Sequence, residues 1–167
     1  MNDAPLKMAE EIEVGGEAAD STATLCIYAD DIDLQAISSA LRASPTDAHR
    51  RGEVVGRRPP ASVGLWSLEA PRHLKFSEKL QYLVHETISD AEVWERLVAD
   101  HRIELRCAIF LHSWNEGFDV PADLMAQIAQ RHWQFGLSLY SAEGNEIVDA
   151  FLRKGYKPNK VTLPDNK

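Results

Sequence analysis

Cysteine is scarce in this chain. Cys26 and Cys107 are the only two among 167 residues, which is too few for a disulfide framework, and each sits inside an apolar, strand-like run where a buried free thiol is expected. No apolar run approaches the ~20 residues that a membrane-spanning helix needs. The N-terminal residues are acidic and lack the basic and apolar regions of a secretory leader, so a cytoplasmic protein is expected. Gly-x-Gly-x-x-Gly, a Walker loop, a Gly-x-Ser-x-Gly elbow and Cys-x-x-Cys are all missing, and with them the common signatures of dinucleotide, nucleotide, hydrolase and redox chemistry. An excess of base is missing too. The formal net charge is −8, whereas nucleic-acid binding needs a basic footprint to displace counterions. What remains is a chain of one domain's length with a core-sized apolar fraction, 44%, ordinary for a globular protein.

The charge is unevenly spread. Residues 1–22 carry a net of −5 and residues 154–167 a net of +3. The first segment, rich in acids and small residues with no sustained period, reads as a flexible acidic tail. The Lys/Pro/Asn-rich residues 156–167 read as a flexible basic tail. A single α+β domain is expected over 23–155.

Within it, "TLCIYA" (24–29) alternates as a strand, with Leu25 and Ile27 on one side and Cys26 and Tyr28 on the other. Asp31 is placed to cap a helix whose stripe is Leu34, Ile37 and Leu41, and Pro45 is expected to stop it. "SVGLWSLEA" (62–70) reads as a strand, with "VVGRR" (54–58) as a short hairpin partner. Residues 75–100 carry a continuous apolar stripe from Leu80 to Val98 and predict one long helix. "RIELRCAIFLHS" (102–113) is the clearest strand, with Ile103, Leu105, Cys107, Ile109 and Leu111 on one face.

After the loop "WNEGF", Pro121 opens a helix at position N1. Its stripe is Leu124, Met125, Ile128, Ala129 and His132, and Gly136 is its expected stop. "LSLYS" (137–141) is a last short strand, with a small helix expected over 145–153. The order predicts a mixed or antiparallel sheet with helices packed on one face: a ferredoxin-like unit with an added αβ pair. A doubly wound parallel sheet fits less well, because the strands alternate too strongly to be buried on both faces.

The strand "TLCIYA", the helix after it, "SPT", "RRGE", Trp66 in the next strand, the helical stretch before "LRCAIFL" and the closing "LMAQIAQRHWQFGLSLYS" resemble the bacterial domain-of-unknown-function family 4279 over roughly residues 23–141. The family has no established reaction. The resemblance therefore implies a small bacterial cytoplasmic domain and supplies no catalytic residues. Small acidic proteins of this kind are often immunity partners of secreted toxins.

Chemistry-bearing clusters are few. "HETIS" (85–89) begins like a zinc motif, but Ser89 stands where the second imidazole is needed. Asp30, Asp31 and Asp33 are explained by helix capping, and no metal or cofactor is expected. His101, His112 and His132 are scattered and read as structural. The strongest local signal is the basic loop 42–58, net +3. There Arg50, Arg51, Glu53, Arg57 and Arg58 lie beside glycines that let a turn present amides and guanidinium groups to an anion. Trp66 and Trp114 are candidate anchors for a partner.

Two function classes follow. The favoured one is a non-catalytic binding protein that holds another protein, with a basic toxin as the partner an acidic immunity protein would meet. The alternative is a small-molecule or nucleotide-binding enzyme built on loop 42–58.

Overall fold

The computed structural model describes residues 16–17, 20–57, 59–111 and 116–141. The expected helix over 145–153 and the expected basic tail 156–167 lie outside these residues, as do Arg58 and Trp114.

The first long strand, β2 (Asp20–Ala29), begins four residues before the predicted start. Its early residues are part of the fold: Ser21 is buried, and its hydroxyl accepts from the buried Lys79 ammonium at 3.2 Å. The acidic-tail reading of residues 1–22 therefore extends too far. A two-residue strand, β1 (Gly16–Glu17), also pairs in parallel with β6 (Glu116–Gly117).

Helix α1 (Leu34–Leu41) is capped by Asp33 rather than Asp31, with Asp33 Oδ1 accepting from the amides of Gln35 and Ala36 at 3.1 and 3.0 Å. It ends at Arg42, whose φ of 56° is left-handed, so the turn is made three residues before Pro45. The strand partner is also displaced. Residues 54–57 form no strand, and β3 (Asp47–His49) pairs antiparallel with β4 (Gly64–Glu69). Thr46 sets this register, since both its amide and its hydroxyl donate to the Ser67 carbonyl.

The long helix predicted over 75–100 is two helices, α2 (Phe76–His85) and α3 (Ala91–Asp100). The apolar stripe continues across the gap, which is why period alone does not reveal it. Local hydrogen bonding makes the break. The Thr87 hydroxyl donates back to the Leu83 carbonyl at 2.9 Å, the Ile88 amide donates to the Leu41 carbonyl at 3.1 Å, and Asp90 caps α3 through the Glu92 amide at 2.9 Å. Strand β5 (Arg102–Leu111) follows, close to its predicted span.

Pro121 occupies the cap position of α4 (Ala122–Gln130) rather than its first turn. His132, with φ 55°, makes the stop expected of Gly136, and Gly136 lies inside strand β7 (Gln134–Ser141).

The strands form a five-stranded sheet in the order β3-β4-β2-β5-β7. The first four are mutually antiparallel, and β7 runs parallel to β5 after a crossover through α4. The result is an α+β fold with a mixed sheet. The chain order β2-α1-β3-β4-(α2-α3)-β5 is that of a β-α-β-β-α-β unit, followed by the α4-β7 pair.

One side of the sheet carries the core. Ala23, Leu25 and Ile27 of β2, Trp66 and Leu68 of β4, and Ile103, Leu105 and Ile109 of β5 form one cluster with residues from all four helices. Alternation puts the intervening residues, among them Thr24, Cys26, Tyr28, Ser67 and Arg106, on the opposite side, which no helix among the described residues covers. No helix among the described residues is long and apolar enough to cross a membrane.

Candidate functional site

The basic loop folds on itself. Glu53 Oε2 accepts from the Arg50 amide at 2.8 Å, the Gly52 amide donates to the Ala61 carbonyl at 2.8 Å, and the Ala61 amide returns to the Glu53 carbonyl at 2.8 Å. Gly52 and Gly56, at φ 83° and 64°, supply the left-handed turns that this closure needs. Two of the amides that an anion would use are thus engaged within the loop. Arg50, Arg51 and Arg57 are exposed. Arg51 pairs with Asp30 at 3.2 Å, and both side chains are largely in solvent, a setting in which an ion pair contributes little. Glu53 is a loop organiser. Within the loop Arg50 and Glu53 are joined, whereas Arg51 reaches out of it to Asp30.

Trp66 is a core residue, not a partner anchor. It is 0% exposed, and its indole N–H donates to the Ser38 hydroxyl of α1 at 2.9 Å. Strand alternation carried this signal: in β4 Trp66 has the same phase as Leu68, and it pairs with Ile27.

Two other surfaces emerge. The first is an apolar groove of about 540 Å³ between α4, β7 and the chain entering α4. Its floor is Ile128 and Trp133, both buried, and Trp133 packs edge-on against Trp94 of α3 at 5.3 Å. Its rim is Phe118, Met125 and Phe135. Met125 is 53% exposed and Phe135 45%, with Leu139 on the same side of β7 at 58%. Phe118 is held in place by an edge-on contact with Phe76 of α2 at 4.9 Å. Exposed acids flank the groove in sequence: Asp119 between Phe118 and Val120, and Asp123 in the first turn of α4.

The signal for this groove was present in α4. Its apolar stripe is two rows wide, and only the Leu124/Ile128 row is buried. The Met125/Ala129 row faces outward, along with the first residues of β7 that the predicted strand omitted.

The second surface is a polar hollow of about 590 Å³ on the helix-free side of the sheet. Across it, β2 and β5 place Tyr28 opposite Arg102 and Thr24 opposite Arg106. The Arg102 guanidinium lies 4.5 Å from the centre of the Tyr28 ring and its Nε 3.4 Å from Glu104. Arg106 Nη1 donates to the Tyr28 hydroxyl at 3.3 Å. Burial pushes the Tyr28 phenol and the Cys26 thiol up from their ordinary values, so both stay protonated at neutral pH.

Among the described residues no group of three or more His, Cys, Asp or Glu side chains is arranged to hold a metal ion. The Asp30–Asp33 cluster is divided between the Arg51 ion pair and the α1 cap.

A family model, Domain of unknown function (DUF4279), matches residues 19–142, the span of the five-stranded sheet and its helices. No curated protein and no solved structure matches the chain.

Proposed function

The chain belongs to the DUF4279 family, and from that premise we propose a small, non-catalytic bacterial cytoplasmic protein that acts by holding another protein. In its specific form it is an immunity protein that neutralises a basic toxin. The observation that carries this reading is the groove between α4 and β7, where large apolar side chains stand half-exposed above the buried Ile128 and Trp133. Exposed aromatics and methionine over a packed base are the usual composition of an interface centre. The flanking Asp119 and Asp123, on a chain of net charge −8, favour an amphipathic, basic segment as the occupant. The alternative, an enzyme centred on loop 42–58, has less behind it, because Glu53 and Ala61 already take up the amides of Arg50 and Gly52.

The test is quantitative capture from the native lysate with the tagged full chain and with a Met125→Lys/Phe135→Ser variant of unchanged melting temperature. One basic protein should be recovered in stoichiometric amount by the parent and lost by the variant. The purified pair should associate more slowly as salt rises. Equal recovery by both chains would overturn the groove as the contact.

A further inference from the structure

Gly136 is an unexplained residue inside a strand, the third of the eight residues of β7. Glycine within a strand weakens it, and it recurs where a backbone takes a left-handed turn or where something approaches closely. Neither intramolecular reason applies. Positive φ is found at Gly52 and Gly56 and not at Gly136. A Cβ on Gly136 would come no nearer than 4.0 Å to any atom of the described residues beyond its chain neighbours, the closest being the Leu105 carbonyl oxygen. What the missing side chain leaves is space, and the register puts that space beside Arg106, its partner across the β5–β7 ladder.

Arg106 is also the cation of the hollow that holds no ion pair among the described residues. Glu104 is engaged by Arg102, and among the described residues Arg106 has the Tyr28 hydroxyl as a partner and no carboxylate. One of its five N–H donors is thereby used, and the remainder of a planar fork faces a hollow of about 590 Å³. That volume lies in the range of small-molecule sites. Its lining carries the Thr24 and Ser138 hydroxyls, the Glu104 carboxylate that Arg102 engages, and aromatic rings at both ends: Tyr28 at one, and at the other Tyr140 stacked on Phe110 at 5.0 Å.

We propose that the helix-free side of the sheet binds a small organic monocarboxylate, with Arg106 pairing its carboxylate and Gly136 leaving room for its body. With Glu104 paired to Arg102, Arg106 leaves one positive charge without a carboxylate among the described residues, which matches one negative charge, and a planar carboxylate matches its fork. A phosphate dianion would leave charge uncompensated here. The Tyr28 hydroxyl, 3.3 Å from Nη1, orients the Arg106 side chain.

The test is titration of the full chain with benzoate, with its neutral isostere benzamide and with inorganic phosphate. Binding is followed by calorimetry and by backbone amide shifts. Benzoate should bind saturably, at least about tenfold more tightly than either control, with shifts concentrated on β2, β5 and β7. Arg106→Gln should weaken it about tenfold or more. Gly136→Val, which keeps Arg106 and adds a strand-compatible side chain, should weaken it as much without lowering the melting temperature. If Arg106→Gln fails to fold, the Gly136→Val result decides. No saturable benzoate binding, phosphate binding as tight as benzoate, or benzoate binding that Gly136→Val leaves unchanged would each overturn the proposal.

Discussion

The indole N–H of Trp94 donates to the carbonyl of Ile88 at 2.8 Å, tying the first turn of α3 to the segment that separates it from α2. Trp94 is fully buried, so this bond and the Asp90 cap together hold a helix break that the apolar pattern conceals. Trp94→Phe keeps most of the packing but leaves the Ile88 carbonyl without its donor. A loss of about 1–3 kcal/mol is expected in a denaturant melt. Asp90→Ala should cost about 1 kcal/mol in the same measurement.

Trp66 and Ser38 form the equivalent link between β4 and α1. Ser38→Ala strands a buried indole N–H and should destabilise by about 1–3 kcal/mol. Trp66 contributes no exposed surface, so Trp66→Phe should lower the melting temperature while leaving the affinity of a captured partner unchanged. Denaturation and binding measured on one preparation separate the two effects.

Cys107 gives a pH signature. Burial pushes its thiol from the ordinary 9.0 up to about 12, so the folded state keeps the proton longer than the unfolded chain. The raised value means that its contribution is complete below about pH 9 and is lost as pH climbs toward about 12. Stability measured from pH 8 upward should therefore fall less steeply in Cys107→Val than in the parent. Other titrating groups cancel in the difference. The parent thiol should resist alkylation at pH 8 until the protein is unfolded.

The Arg51–Asp30 pair should be nearly silent. Both partners are exposed, so Arg51→Ala should change stability by no more than about 0.5 kcal/mol, with little dependence on salt. A larger loss would mean that the loop is braced through Arg51 and not through Glu53.

Strand phases were legible in the residues. Leu25, Ile27, Ile103, Leu105 and Ile109 all fall on the core side, as their alternation requires. The α4 stripe was legible as well, although not its division into a buried row and an exposed one. That division depends on which neighbours α4 meets. Three local readings failed for a shared reason, which is that more than one residue nearby could serve. Asp31 and Asp33 could each cap α1, Pro45 and Arg42 could each end it, and Gly136 and His132 could each end α4. In every case the second is used: Asp33 binds the Gln35 and Ala36 amides, and Arg42 and His132 take the left-handed φ. The place beside β4 expected of 54–58 is likewise taken by Asp47–His49, where Thr46 bonds to the Ser67 carbonyl.

By itself, the sequence determined the fold class, the two faces of each strand, the acidic charge and the family resemblance. These follow from periodicity, composition and short motifs, which are properties of neighbouring residues. Only the tertiary structure decided where function can reside. It closed the arginine loop on its own amides, buried Trp66, left one row of α4 uncovered beside Phe135, and set Gly136 against Arg106. Each of these depends on strand order and register, which bring together residues as far apart as Tyr28 and Arg106, and no local pattern encodes that distance.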